Sequence, residues 1–293
     1  MKNFNKKLIL LLFLLSSLLL NENAQAVTKT TVSSGMWNTP GNWTPGGVPS
    51  AGDDVVIAHN ITLNGSATVL SLTINTGGTL LTGSNNLTVS ANTTINGTLE
   101  DNVAGGTTTF GALNINAGGI LRDIITSGSN TFTFNGAVNN AGTVSASAQS
   151  ANTTTFNFNH DILNSGTFTL GNNGAYYFNK AGGLTITPNA PMSFGYSSGG
   201  GGSAYALSDV TIANGNSGGD DVNFNIFNNL DISNNKTFTN SNTFGRLRFS
   251  FAGGLNGSAG ATNAKFTNGA YLEYRSNFLI MTVGLTDFYT NPN

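Results

Sequence analysis

The sequence predicts an all-β solenoid, specifically a right-handed parallel β-helix of about 22 residues per rung with a Trp- and Pro-rich cap at its N-terminal end. Three observations predict it. The composition is that of strands and tight turns, a short Asn-Gly turn recurs along the chain, and three apolar series advance at nearly the same step as that turn.

Composition narrows the class first. Only 8% of the residues are charged and 38 of 293 are Gly, against roughly 25% and 7% in ordinary globular chains. Helices draw on more Ala, Glu, Lys and Leu than this, whereas Thr, Val, Ile and Phe are plentiful here and Asn and Gly interrupt them every few residues. The 19 Phe and the hydrophobic fraction of 39% separate the chain from disordered sequences. With no Cys, the fold must be held by stacked core and backbone hydrogen bonds instead of disulfides.

Residues 1-26 read as a signal peptide. Lys2, Lys6 and Lys7 precede an apolar run from Leu8 to Leu20, and Ala24-Gln25-Ala26 places small residues where a signal peptidase reads them. The mature chain then begins at Val27, outside the cytoplasm, as a secreted or cell-surface protein. No later segment is apolar and long enough to span a bilayer as a helix. Of the 11 basic and 13 acidic residues, the leader takes Lys2, Lys6, Lys7 and Glu22, leaving 8 and 12, a net charge of about -4. A nucleic-acid partner would need clustered Lys and Arg, and none is visible.

Residues 27-50 form the predicted cap, and 51-293 the β-helix. The stretch 33-65, SSGMWNTPGNWTPGGVPSAGDDVVIAHNITLNG, holds both Trp and three of the six Pro and runs into the first alternating strand. Trp43, Gly46, Gly47, Val48, Pro49, Gly52, Asp53, Val55 and Ile57 carry a Trp, GG-x-VP, GD-x-V-x-I pattern. In this it resembles the N-terminal lead-in of bacterial secreted β-helix proteins, particularly the G8-like and Bacteroidota surface proteins. The resemblance covers about residues 35-100 and implies a parallel β-helix on a surface or secreted protein, with no catalytic residue among the matching positions. Trp37, Trp43 and Pro49 are expected to cover the first rung, and Asp53 to bond local backbone before Val55. A calcium role for Asp53 with Asp54 is the alternative, but too few oxygen ligands gather there, and no cofactor is expected. The same ambiguity attends GNSGGDD at 215-221.

The repeats follow. NTGGTL at 75-80, INGTL at 95-99, NAGGIL at 116-121, NNAGTV at 139-144 and NSGTF at 164-168 share an Asn, a small residue, Gly and then an apolar residue. Leu80, Leu99, Leu121, Val144 and Phe168 form one series, with steps of 19, 22, 23 and 24. Ile74, Ile95, Ile115, Val138, Ile162, Ile186, Ile212 and Ile232 form a second, and Phe110, Phe134, Phe156 and Phe178 a third. Three columns at one period describe a coil with three short strands per turn, in which like side chains stack about 4.8 Å apart. Gly supplies the positive φ that corners demand, and Asn can hydrogen-bond along a ladder of its own kind. About 235 residues at roughly 22 per rung make ten or eleven rungs. A β-sandwich or propeller would share the turn signals but not columns that hold register over five rungs.

Function is less legible. A polysaccharide lyase or hydrolase of the pectin-lyase-like kind needs carboxylates on neighbouring rungs, with a basic group to take a proton. Asp123 and Asp161 are not a whole number of rungs apart; Asp209 and Asp231 are 22 apart, with no basic residue at their phase among Arg122, Arg246, Arg248 and Arg275. His59 and His160 have no metal-ligand spacing. The Gly run at 199-202 reads as a loop between rungs. Thr107 and Thr109, Thr131 and Thr133, and Thr153 and Thr155 precede Phe110, Phe134 and Phe156, and alternation turns them outward as a flat Thr stripe. Such stripes resemble the ice-binding faces of some β-solenoids. The expected role is a non-enzymatic stalk, adhesin or carbohydrate-contacting module, its partner an extracellular polysaccharide or a host or cell surface. The apolar stretch Tyr271 to Tyr289 reads as an uncovered last rung, which implies a downstream domain of a longer chain.

Overall fold

The computed structural model describes residues 26–149, 151–195 and 203–213, and shorter segments between 222 and 290. The leader, the Gly run at 199-202 and GNSGGDD at 215-221 lie outside the described residues, as does most of Tyr271 to Tyr289. The chain is an all-β parallel solenoid. Each turn lays down three short strands, which stack into ladders A, B and C.

Ladder A holds Asp54–Ile57, Ser71–Ile74, Val138–Asn140, Ile162–Asn164, Leu184–Pro188 and Val210–Ile212. Ladder B holds Asn60–Thr62, Thr79–Leu81, Thr98–Asp101, Ile120–Asp123, Thr143–Ala146, Thr167–Leu170 and Met192–Phe194. Ladder C holds Ala67–Val69, Thr131–Phe134, Thr155–Phe158, Ala175–Phe178 and Ser203–Ala206. Leu87–Ile95 and Thr107–Ile115 run through the corner from C to A and contribute to both ladders, with a register shift between Phe110 and Ala112. Alternation along each strand buries one row and turns the next outward, as in the buried Phe132 and Phe134 between the half-exposed Thr131 and Thr133.

Two strands of the N-terminal segment already belong to the coil. Thr28–Thr31 lies parallel to Asp54–Ile57 and Gly35–Met36 parallel to Asn60–Thr62. Trp43–Thr44 pairs antiparallel with the other edge of Thr28–Thr31, so a two-residue strand closes the first edge of ladder A. Trp37 and Trp43 are buried with ring centroids 4.9 Å apart, and Trp43 Nε1 donates to the Trp37 carbonyl at 2.8 Å. Pro49 is buried beside them in sequence, and Asp53 Oδ2 accepts from the Ser50 N–H at 2.7 Å and its hydroxyl at 2.9 Å.

The series Leu80, Leu99, Leu121, Val144 and Phe168 is one column, residue against residue, inside ladder B. The other two series need correction. In ladder C, Phe110, Phe134, Phe158 and Phe178 form one stack at 5.5, 5.0 and 5.6 Å, whereas Phe156 belongs to a second stack with Phe132 and Tyr176 at 5.3 and 5.8 Å. TFTF and TFNF each offer two inward Phe, and counting a constant step selects the wrong one. In ladder A the column of Ile74, Ile95 and Ile115 continues through Asn140 and Asn164, while Val138 and Ile162 continue Leu113. Ile232 stands against Ala206 in ladder C.

The corner from A to B explains the Asn-Gly turn. Asn140 and Asn164 point inward, and Asn140 Nδ2 donates to Asn164 Oδ1 at 2.7 Å and to the Thr167 carbonyl at 2.9 Å. Gly97, Gly119, Gly142 and Gly166 stack there, and a Cβ on any of them would meet a carbonyl oxygen of the rung below at 2.1 to 2.3 Å. Space, more than positive φ, requires these glycines; Gly77 and Gly118, at φ 84° and 86°, turn the chain at the same corner.

Candidate functional site

Three groups of polar side chains stand out among the described residues, one inside the coil and two on it. The internal group lies under the corner from B to C. Asp101 and Asp123 each follow a column leucine by two residues, so alternation sends both carboxyls inward on adjacent rungs. They are 1% and 2% exposed. Asp123 is well supplied with donors: Thr154 Oγ1 at 2.7 Å, the Ile125 N–H at 3.1 Å and Asn152 Nδ2 at 3.2 Å. The chain of bonds runs on through Asn172 Nδ2 to the Thr154 carbonyl at 2.6 Å and Tyr176 Oη to Asn172 Oδ1 at 2.6 Å. Asp101 is poorly supplied, since its Oδ1, Asn130 Nδ2 and Thr108 Oγ1 complete no well-formed hydrogen bond.

Burial pushes the Asp101 carboxyl up to about 7, reinforced by the neighbouring Asp123 charge and only partly opposed by Val103, Thr82 and Asn130. Burial also raises Asp123, against its three donors. Both carboxyls are thus held above the usual range, Asp101 with the weaker set of donors. Sequence reading passed over Asp101. Its spacing of one rung from Asp123, in phase with Leu99 and Leu121, was the available signal.

Asp209 and Asp231 do not meet: Asp209 precedes Val210–Ile212 of ladder A, and Asp231 stands against Tyr205 in ladder C. Arg122 faces outward on ladder B, where Nε donates to Glu100 Oε2 at 2.6 Å. Asp161 lies at the surface between ladders C and A. Desolvation pushes it upward but is outweighed by Lys180, whose Nζ lies 2.5 Å from Oδ2, and by the Thr185 N–H at 2.7 Å, so its carboxyl sits below the usual range. His59 contacts Thr31 Oγ1 and His160 accepts from the Asp161 N–H. Among the described residues no three His, Cys, Asp or Glu gather as a metal site.

The second outer group is the face of ladder C. Thr68, Thr88, Thr109, Thr133 and Asn157 form one outward row, and Thr107, Thr131 and Thr155 a second. Thr153 is not in either row; it lies in the preceding corner, hydrogen-bonded to the Gly128 carbonyl. The first row continues into Tyr177 and Tyr205, whose rings stack at 4.7 Å and 11°. A shallow groove beside Tyr177 is lined by Thr133, Asn157, Asn159, Asn179 and Leu207.

The fold and these faces define a parallel β-solenoid with a buried acid pair and an outer ladder of Thr and Asn rows leading to two stacked tyrosines. No family model matches the chain, and no curated protein or solved structure matches it.

Proposed function

We propose that this chain is a non-enzymatic secreted or cell-surface solenoid, a stalk or adhesin that contacts carbohydrate through the outer face of ladder C. The observation that carries the reading is the contrast between the two candidate sites. The carboxyls of Asp101 and Asp123, on adjacent rungs, face the core, where no substrate reaches them, whereas ladder C presents rows of hydroxyls and amides that lead into stacked tyrosines. Hydroxyls, amides and an aromatic face suit a neutral, many-hydroxyl ligand. The signal-peptide pattern of residues 1-26 and the resemblance of residues 33-65 to surface β-helix proteins support a contact made outside the cell.

The test is direct. Residues 27-293 incubated with polygalacturonate or alginate, with and without calcium, are expected to release no unsaturated or reducing sugar, and to bind one or more polysaccharides without turnover. Turnover that survives repeated purification would overturn the reading. A second reading, ice binding, draws on the two Thr rows, which stand in register across neighbouring rungs. Arrest of ice recrystallisation by the same preparation would favour it.

A further inference from the structure

The stack of Tyr177 and Tyr205 is asymmetric. Tyr205 covers one face of the Tyr177 ring at 4.7 Å. On the opposite side the register partner is Asn157, a much smaller side chain held down by donating from Nδ2 to Thr133 Oγ1 at 3.2 Å. Tyr177 therefore stands as a ledge above the Thr row, with one aromatic face open into the groove. Asn159 is half-buried and donates to Asn135 Oδ1 at 2.9 Å, while Asn179 is exposed. Leu207, 39% exposed, supplies an apolar edge. Among the described residues the groove has no charged lining, and its volume is about 310 Å³, at the low end of the roughly 300–1,000 Å³ of ligand pockets. That is room for one ring, not for a buried chain.

We infer that this groove is a subsite for one pyranose ring of an uncharged polysaccharide, stacked on the open face of Tyr177. The aliphatic C–H face of a pyranose meets the electron-rich face of the tyrosine ring, and its edge hydroxyls lie over the Asn157 and Asn179 amides, which both donate and accept. An acidic polysaccharide would bring carboxylates to a groove with no cation in it. The inference deepens the carbohydrate-contacting reading and rests on it.

Affinity electrophoresis of the full chain through gels containing mannan, xyloglucan or mixed-linkage β-glucan, with polygalacturonate as the charged comparator, tests it. Wild type is expected to be retarded by at least one neutral polymer and not by polygalacturonate. Tyr177→Ala should weaken that binding about tenfold or more, Tyr177→Phe should keep it, and Asn157→Tyr, which covers the open face, should abolish it while preserving the melt. If wild type binds a neutral polymer and Asn157→Tyr and Tyr177→Ala bind it equally well, the subsite is overturned and the broader carbohydrate reading stands. If wild type binds none of the polymers, both fall. Retardation by polygalacturonate alone overturns the subsite, and should Tyr177→Ala fail to fold, Asn157→Tyr against Tyr177→Phe decides.

Discussion

At the scale of single residues, Asp101 is the most consequential side chain. Its folded pKa of about 7 stands above the roughly 4 of an unfolded carboxylate. Between those values the unfolded chain has released the proton and the folded chain still holds it, so this residue makes stability fall as pH rises through that window and level off above about 7. At roughly 1.4 kcal/mol per pKa unit the effect is a few kcal/mol. Asp101→Asn mimics the protonated form, so its melting temperature should exceed that of wild type at pH 8, and the two should converge near pH 4. Identical pH profiles for the two proteins would show that Asp101 ionises normally. Phe134, between Phe110 and Phe158, offers a comparison with an apolar position. Phe134→Asp buries a charge with no partner and should cost several kcal/mol or prevent folding, whereas Thr131→Asp on the outer face should stay within about 1 kcal/mol. Thermal melts of the pair check the facing directly.

At the scale of the element, the corner from A to B decides how closely the rungs approach. A Cβ at Gly142 would lie 2.3 Å from the Gly119 carbonyl oxygen and 2.5 Å from that of Asn116, while one at Gly41 meets nothing within 4 Å. Gly142→Ala should therefore be severely destabilising and Gly41→Ala nearly neutral, as chemical denaturation of the two variants would reveal. The parallel solenoid, its three strands per turn and the Leu80 to Phe168 column were legible because one inward residue per strand keeps a nearly constant step. The Phe series slipped by two residues because both inward positions of a strand can be apolar, and period counting cannot separate Phe156 from Phe158, while the Ile series slipped because its own column turns polar at Asn140 and Asn164. Thr107 stands against Thr131 and Thr109 against Thr133, but Thr155 stands against Thr131 instead of Thr133, and Thr153 lies in the preceding corner. The Tyr177 ledge could not be read at all. It depends on which residue lies one rung below, and the length of the rung between Phe158 and Ala175 fixes that only in the folded chain.

At the scale of the whole molecule, register decides which side chains form a face, a stack or a buried pair. It brings Asp101 against Asp123, sets Asn157 beneath Tyr177 and aligns the Thr rows. A chain with no Cys allows that register to be measured without background. Neighbouring parallel strands hold register partners about 4.8 Å apart, within reach of a disulfide, whereas residues displaced by two along the strand lie beyond the roughly 7 Å limit. The double variants Thr131→Cys with Thr155→Cys, and Thr133→Cys with Thr155→Cys, place the pair in register and out of register respectively. After mild oxidation of the folded protein, titration of free thiols should find the first pair closed and the second open. A closed second pair and an open first pair would contradict the register, and with it the acid pair, the Thr rows and the Tyr177 ledge.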